Sequence, residues 1–383
     1  MNRFPPNAIA SLVGEAPPRH DLAESLGPDL RFGALFDDPH EAGALAALPL
    51  SYASAAGDPA LRAAIAAVHG GGADEVVVTV GGMHALFLLA FTLCGRGDEA
   101  VITSPVFPLA RHALQAVGAE IRTLPLHFDD GYQPDLEALR ALLSPRTRLV
   151  SLASPQNPSG VALPEASLRA VLALMQQHAP QARLLVDETY REAHYGGTPA
   201  APSAIALDQR VVSVASLSKC HGAPGLRIGW AITRDAALRE QLVTAKFNTV
   251  ICCSPLDEAA ALRLLQRRGH LLAERAAHLA ANLALTAQWA RDEAALVDWV
   301  RPDAGALCCV RMKPAVFDEA AVARFHAALP ALGLRIGDGR WFGESARVFR
   351  LGFGLPPTAG LADALQALSS ALRQAAGGYD RRD

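Results

Sequence analysis

The chain has 383 residues, of which 51% are hydrophobic and 19% are charged. This length predicts two or three domains, and the composition is typical of a globular protein with a large buried core. The formal charge is −3 and no basic block occurs, which argues against nucleic acid or a membrane as a partner. No run of about 18 apolar residues is present, and residues 1–6 lead into no apolar segment. A spanning helix and a secretory signal are therefore excluded, and we expect a cytoplasmic protein.

The cysteines show no pattern that is typical of a metal site. Six occur, and none of them forms a C-x-x-C pair, so no metal is predicted. Four lie in two adjacent pairs, and adjacent cysteines rarely form a disulfide with each other. We therefore expect small apolar core residues in a reducing compartment. The positions are Cys94, Cys220, Cys252, Cys253, Cys308 and Cys309.

Short apolar runs alternate with longer stretches between residues 75 and 233, and several of the longer stretches have helical periodicity. Some runs are almost unbroken, which is typical of strands that are covered on both faces. The pattern predicts an α/β fold with a mostly parallel sheet. Predicted helices include Met83–Cys94 and Leu168–His178. The predicted strands are Glu75–Val80, Ala100–Ser104, Ile121–Leu126, Leu149–Ala153, Arg183–Asp187, Val211–Ala215 and Gly229–Thr233.

The C-terminal third has a different texture. A long amphipathic helix is predicted around Leu256–Glu293, with Gly269 as a point where it breaks. After it, an α+β pattern follows. We predict an N-terminal arm with part of a small domain in residues 1–45, a large domain in 46–290, and the rest of the small domain in 291–383. The α+β elements are strands Leu307–Met312 and Val348–Phe353 and helices Ala320–Leu329 and Leu361–Gln374.

One lysine stands in a setting that suits covalent chemistry. Lys219 follows a buried strand, lies beside Ser216 and Ser218, and precedes Arg227 by eight residues. A lysine that attacks an aldehyde must be partly neutral, which burial favours. Two hydroxyls and a guanidinium would suit a phosphate dianion. The residues alone more readily indicate a surface lysine beside the Gly-Pro-Gly turn.

Three polar residues near the ends of neighbouring strands add to this signal. Asp187 ends an apolar strand, where a carboxylate is costly unless it is paired, although a helix cap would also explain it. Tyr190 follows three residues later and would otherwise be a core aromatic. Asn157 lies in an Asn-Pro turn after another strand, which is a common loop signal by itself.

Together these motifs resemble the class I/II aminotransferases of the aspartate-aminotransferase type (fold type I), which depend on pyridoxal 5′-phosphate (PLP). The resemblance implies the PLP-dependent transferase fold, with a large domain and a smaller one built from both chain ends. It implies that Lys219 holds PLP as a Schiff base and that Asp187 pairs with the pyridine nitrogen. Asn157 and Tyr190 would bind the phenolic oxygen. Ser216, Ser218 and Arg227 would bind the phosphate.

The resemblance extends to other segments. Gly81, Gly82 and Met83 lie between a strand and a helix, where backbone N–H groups can bind a phosphate. The family often has a hydroxyl here, which this sequence lacks. Phe107 matches an aromatic ring that stacks on the cofactor. Tyr52 matches a tyrosine that reaches the phosphate of a neighbouring subunit, which implies a homodimer with shared active sites.

Arg350 is a charged residue within an apolar strand near the C-terminus. It matches the arginine that binds the substrate α-carboxylate as a two-bond fork, and Asn157 would lie in the same substrate site. Arg347 is the alternative, but strand alternation places it on the opposite face.

The resulting prediction is an enzyme that transfers an amino group from an amino acid to a 2-oxo acid. A PLP-dependent β-lyase, cyclase or decarboxylase on the same fold is the main alternative. A PLP-binding regulator without turnover is a remote one, since no DNA-binding segment precedes the domain. A nucleotide-binding α/β protein lacks its G-x-G-x-x-G motif here. No second arginine can be assigned to a side-chain carboxylate, so the sequence does not name the amino donor.

Overall fold

The computed structural model describes residues 4–36, 38–196 and 200–377. Residues 1–3, 37, 197–199 and 378–383 lie outside these ranges. The predicted N-terminal segment 1–45 and the predicted C-terminal segment 291–383 are therefore described in part. No helix in the described ranges is long and apolar enough to cross a bilayer.

The strands are β1 (His20–Leu22), β2 (Val76–Val80), β3 (Glu99–Ser104), β4 (Glu120–Pro125), β5 (Thr147–Ala153), β6 (Arg183–Asp187), β7 (Val211–Ser216), β8 (Ile228–Thr233), β9 (Val297–Val300), β10 (Leu307–Met312), β11 (Leu334–Asp338) and β12 (Val348–Gly352). The helices are α1 (Ser11–Gly14), α2 (Pro39–Ala46), α3 (Pro59–His69), α4 (Gly81–Leu93), α5 (Pro108–Val117), α6 (Leu136–Leu142), α7 (Glu165–His178), α8 (Ala236–Val250), α9 (Pro255–Gln266), α10 (Arg268–Asp292), α11 (Glu319–Ala328) and α12 (Thr358–Ala375).

The larger sheet has seven strands in the order β2-β8-β7-β6-β5-β3-β4. Its strands pair in parallel except β8, which runs antiparallel to both of its neighbours. Apolar clusters cover both faces, because alternate residues of the same strand enter different clusters. Leu184 and Val186 pack on one side, and Leu185 packs on the other. The predicted α/β fold with a mostly parallel sheet is confirmed, and β6 matches its predicted bounds residue for residue.

The smaller sheet has five strands in the order β1-β11-β12-β10-β9. Its edge strand β1 comes from the N-terminal segment and pairs in parallel with β11, His20 opposite Leu334. The core beneath this sheet likewise joins both chain ends, since Leu22 packs in one cluster with Phe349 and Leu368. The prediction of a smaller α+β unit from both chain ends is therefore confirmed.

The long helix predicted over Leu256–Glu293 is two helices, α9 and α10, and the predicted break at Gly269 is wrong. The break lies at Arg267, and Gly269 is within the first turn of α10. Glycine lowers the stability of a helix but does not have to end it. Leu264 of α9 and Leu271 of α10 pack in the core of the larger sheet, whereas Leu279 of α10 packs in that of the smaller sheet. Helix α10 therefore connects the two cores.

Candidate active site

Three predicted site residues lie at one edge of the larger sheet. Asp187 is the last residue of β6, Asn157 follows β5, and Lys219 follows β7. These strands are adjacent and parallel, with Ala153 opposite Asp187 and Asp187 opposite Val214. The carboxyl ends of parallel strands meet at the same edge, which is where α/β proteins bind ligands.

A buried hydrogen-bond chain connects this edge to the smaller sheet. Arg350 of β12 donates from Nη1 to Asn157 Oδ1 at 2.8 Å. The Asn157 amide lies 3.5 Å from the Tyr190 hydroxyl, which in turn donates to Ser25 Oγ at 3.0 Å. The other terminal nitrogen of Arg350 donates to the carbonyl of Ala23. Residues from both ends of the chain thus meet at the site.

Arg350 is a buried cation that lacks an anionic partner. Its side chain is 2% exposed, and within the described ranges no carboxylate lies within 4 Å of it and its Nε–H has no acceptor. Burial lowers the pKa of the guanidinium. Its central carbon lies 4.6 Å from the ring centre of Phe342. A buried cation without a counter-charge is costly, so this geometry suits an anionic ligand.

Arg347, the alternative carboxylate binder, points away from this cluster. It donates to the carbonyl of Phe317 and pairs with Glu319 at 3.0 Å. Strand alternation therefore places the two arginines as the sequence predicted, with Arg350 beside Asn157.

The Lys219 amine is largely enclosed, and burial lowers its pKa to about 8. The positive charges of Arg350 and Arg227 lower it further, whereas the carboxylates of Glu24 and Asp29 act in the opposite direction. A substantial fraction of this lysine is therefore neutral near pH 8, as nucleophilic attack by an amine requires.

Asp187 is half-buried, and burial raises the pKa of its carboxyl group. The Thr189 N–H donates to Asp187 Oδ1 at 3.0 Å and opposes the shift, while the neighbouring Glu188 reinforces it. Burial also raises the pKa of the Tyr190 hydroxyl to about 12, so this group stays protonated as a hydrogen-bond donor.

A cluster of donors lies on the other side of Lys219, at the start of α4. Gly81 adopts a positive φ of 70°, and a Cβ there would lie 2.2 Å from Arg227 Nη2. A Cβ on Gly229 of β8 would lie 2.4 Å from the backbone of Gly81 and Gly82. Both positions therefore require glycine for the close approach of strand, helix and arginine. Within the described ranges no side chain caps α4, so its first N–H groups are available to an anion.

The family model of aminotransferase class I and II matches residues 49–368. The chain belongs to this family. A curated relative, capreomycidine synthase of Streptomyces vinaceus, is 33% identical over 301 residues, which are 78% of this chain and 75% of the relative. Arginine–pyruvate transaminase AruH of Pseudomonas aeruginosa is 31% identical over 236 residues, 57% of this chain and 60% of the relative.

Solved structures show the same architecture. A PLP-dependent aminotransferase from Streptococcus suis superimposes with a TM-score of 0.89, 25% identity and full coverage of both chains. The PLP-dependent cyclase OrfR superimposes with a TM-score of 0.84 and 29% identity over 98% of each chain. The protein is a PLP-dependent enzyme of the aminotransferase family, and its fold is the PLP-dependent transferase fold.

The residues of this aminotransferase-family site fit the cofactor. The groups around Gly81, Gly82, Ser216 and Arg227 are backbone N–H donors, a hydroxyl and one guanidinium, with no carboxylate among them. A phosphate dianion needs such a donor-only set. The buried carboxyl group of Asp187, with its raised pKa, suits a partner that shares a proton, such as a pyridine nitrogen.

Other predicted site residues are more exposed than Asn157, Tyr190 and Arg350. Arg227 is exposed, and its Nη1 donates to Pro224 O at 2.8 Å and lies 3.5 Å from Ser218 Oγ. Met83 lies in the first turn of α4, and Phe107 is half-buried at the start of α5. Tyr52 is 82% exposed, so its own chain does not enclose it.

Sequence reasoning missed several residues that shape the site of this family member. Ser25 bonds to Tyr190, and Ala23 supplies a carbonyl to Arg350. Gln156 donates to Pro105 O at 3.0 Å and so joins the Asn157 turn to the loop that carries Phe107. No local signal marks these residues, because their partners are distant in the sequence.

Proposed function

We propose that the protein is a PLP-dependent aminotransferase that moves an amino group from an amino acid to a 2-oxo acid. The observation that carries this proposal is the combination of Arg350 and Lys219. A buried guanidinium without a counter-charge suits the α-carboxylate common to both substrates. Arg350 lies close enough to Lys219 to lower the pKa of its amine, which burial already makes partly neutral.

In this proposal the predicted residues divide the binding of the cofactor and the substrate among them. Lys219 holds the cofactor covalently, Asp187 holds its ring nitrogen, and Asn157 and Tyr190 hold its phenolic oxygen. The phosphate is bound by Ser216, Ser218, Arg227 and the N–H groups of Gly81, Gly82 and Met83, with Phe107 against the ring. When bound, PLP supplies an electron-withdrawing ring that stabilises negative charge at the substrate Cα. Arg350 would orient the substrate so that its Cα–H bond faces Lys219, whose amine, no longer bound to the cofactor at that stage, would remove the proton.

A half-reaction experiment tests the reaction type. Without a 2-oxo acid, the PLP-loaded enzyme should convert one equivalent of amino acid per subunit to its 2-oxo acid and then stop. A visible absorbance change should accompany this single turnover, and adding a 2-oxo acid should restore turnover. A panel of amino acids measured in this way also identifies the donor. Continued product formation without an acceptor would exclude transamination as the main reaction.

A cyclase is the second candidate, because two of the relatives favour it. The PLP-dependent cyclase OrfR covers 98% of the chain, and capreomycidine synthase matches more of the chain than the arginine transaminase does. The same assay separates the two functions. A cyclase, like a β-lyase or a decarboxylase, turns over repeatedly on one amino acid without an acceptor.

We further propose that the substrate carries a positively charged side chain. Glu24 lies between Ala23 and Ser25, both of which contact site residues, and its charge acts on Lys219 and on Arg350. In the described part of the chain its half-buried carboxylate makes no hydrogen bond and no ion pair within 4 Å, although its charge also acts on Arg335. Arginine is the substrate named for the Pseudomonas transaminase. Glu24→Gln should lower kcat/KM for arginine or lysine by about tenfold, as expected for one charge-assisted hydrogen bond.

The matched control for this substitution is Glu15→Gln, which neutralises an exposed carboxylate of the same N-terminal segment. It should leave kcat/KM unchanged for every donor. Equal loss on alanine and on arginine in Glu24→Gln would contradict a role in side-chain recognition.

We also propose that the chain divides into domains at residues 45/46 and 290/291.

We also propose a homodimer in which Tyr52 reaches the phosphate of the partner subunit. Exposed apolar side chains at the end of α8 and the start of α9 support a second copy as the partner. The segment after Tyr52 is tied to this region, since the Asp58 N–H donates to Glu258 Oε2 of α9 at 2.7 Å. The exposed side chains are Phe247, Val250, Ile251 and Leu256.

A further inference from the structure

Glu188, the residue after Asp187, is the centre of a buried hydrogen-bond network behind the site. Its side chain turns away from that of Asp187 and is almost fully enclosed. Oε2 accepts from the hydroxyls of Ser203 and Ser213, both at 2.7 Å, and Oε1 accepts from the Ala204 N–H at 2.6 Å. The donors come from β7 and from the loop before it.

His69 of α3 completes the network. Its Nε2 accepts from the indole N–H of Trp230 at 3.1 Å, so the other nitrogen carries the ring proton. That nitrogen lies 3.2 Å from Glu188 Oε2 and donates to it. Arg191 Nε lies 3.5 Å from the same oxygen. Burial would raise the pKa of Glu188, but His69, Arg191 and the Ala204 N–H hold it below its usual value, so the carboxylate is ionised.

This network fixes the turn that carries both Asp187 and Tyr190. The Glu188 N–H donates to Val214 O at 2.7 Å, and the Ser154 N–H donates to Asp187 O at 2.9 Å. On the opposite side, the Cys220 thiol lies 3.1 Å from Thr189 O, which joins the turn to the residue after Lys219. Glu188 thus holds the turn on one side, and the loop that carries Lys219 and Cys220 holds it on the other.

We propose that Glu188 is a positioning residue for Asp187: it holds the turn that carries Asp187, and its charge strengthens the hold of Asp187 and the cofactor ring on the proton that they share. The inference rests on the proposed role of Asp187 as partner of the cofactor's ring nitrogen. The negative charge of Glu188 makes it unfavourable for the adjacent Asp187 to be ionised without a positive partner. A protonated ring nitrogen is such a partner, so the charge of Glu188 favours a proton shared between Asp187 and the ring. A purely structural network would hold the turn equally well without a charge at its centre.

The test uses the holoenzyme loaded with PLP that carries ¹⁵N in its ring. In the wild type, the nitrogen chemical shift should be that of a protonated ring. Glu188→Gln keeps the shape and removes the charge, so the shift should move toward that of the neutral ring. The kcat should fall about three- to tenfold with KM for the amino donor unchanged, as expected for one charge several ångströms away in a partly screened site. Ser213→Ala, which removes one donor but keeps the charge, should show the wild-type shift.

The outcomes distinguish the role of Asp187 from the role of Glu188. An unprotonated ring nitrogen in the wild type would refute the role proposed for Asp187. A protonated wild type with an unchanged shift in Glu188→Gln would overturn the role of Glu188 alone. If Glu188→Gln does not fold, the paired substitution Glu188→Leu with His69→Leu serves instead, because it removes the carboxylate together with the ring that donates to it. The shift should move in the same direction, and an unchanged shift would overturn the proposal equally.

Discussion

The two halves of the candidate site differ in how much of them a single chain encloses. The carboxylate half, made of Ser25, Asn157, Tyr190 and Arg350, is buried, and its members bond to one another. The phosphate half, made of Gly81, Gly82, Ser216 and Arg227, is open on one side. There the exposed Arg227 makes its shortest bond to Pro224 of its own loop.

In the proposed homodimer, this difference indicates which half a second subunit would complete. The carboxylate half is already oriented, because both terminal nitrogens of Arg350 are held by Asn157 and Ala23. Substrate binding there requires little rearrangement. In the phosphate half Arg227 is exposed, and Tyr52 is also exposed in its own chain.

Lys219→Ala should have the largest effect, since Lys219 lies between the two halves. We expect loss of nearly all turnover and of any cofactor adduct that borohydride can reduce, while PLP still binds through the phosphate half. Mass spectrometry after borohydride treatment measures the adduct. An adduct that persists in this variant would place the covalent attachment elsewhere.

Arg350→Lys tests the carboxylate half. The single nitrogen of an ammonium cannot reproduce the planar guanidinium, which bonds to Asn157 and Ala23 through separate nitrogens and can still fork onto a carboxylate. The KM for the amino donor should therefore rise about 100-fold, the equivalent of one or two charge-assisted hydrogen bonds. The absorbance spectrum of the PLP-loaded enzyme without substrate should stay that of the wild type. Arg347→Lys is the matched control, and a larger rise in KM there would mean that the wrong arginine has been assigned.

Tyr52→Phe tests the phosphate half and should weaken PLP retention by about tenfold or somewhat more, as for a hydrogen bond to a charged group. Mixed dimers sharpen the comparison. A chain with both Tyr52→Phe and Lys219→Ala, paired with a wild-type chain, leaves one catalytic lysine, on the wild-type chain. If the tyrosine acts across the interface, that site shows the weakened retention. Normal retention there, or a monomer at micromolar concentration in sedimentation, would contradict a shared site.

The smallest expected effect is a shift in pH dependence. Because burial and the nearby arginines lower the pKa of Lys219 to about 8, the rate of covalent PLP attachment to the apoprotein should rise with pH and reach half its maximum near pH 8. Glu24 opposes this shift, so Glu24→Gln should move the midpoint to lower pH. Stopped-flow absorbance measures the rate. A midpoint near the ordinary lysine value of 10.5 would mean that the amine is not desolvated.

The sequence predicted the strands of both sheets that have continuous apolar runs, and with them the edge where Asn157, Asp187 and Lys219 meet. Short strands with mixed composition were missed: β1, β9 and β11 have three to five residues each and depend on pairing for their existence. Helix α8 was missed because its apolar residues do not form a clear stripe, and only Leu238, Leu242 and Lys246 are buried along it.

Site residues were predictable where a local motif carries them and not where tertiary contact defines them. Lys219 and Asp187 stand in recognisable segments. Ser25 and Glu24 lie in a stretch whose polar residues have no local partners, and their partners are far along the chain. Glu188 was visible beside Asp187, but its donors come from α3, β7 and an intervening loop, which only the fold brings together.

The bond from Arg350 to Ala23 joins residues that are 327 positions apart. On a ribosome, the N-terminal segment emerges first, and its strand β1 cannot enter the smaller sheet until its partner β11 has been made. The larger sheet can form while that segment is still unpaired, since domains fold as units during synthesis. The strands that lead to Asn157, Asp187 and Lys219 can therefore pair before Arg350 has been made, and a chain that stalls before residue 350 would lack the bond to Ala23.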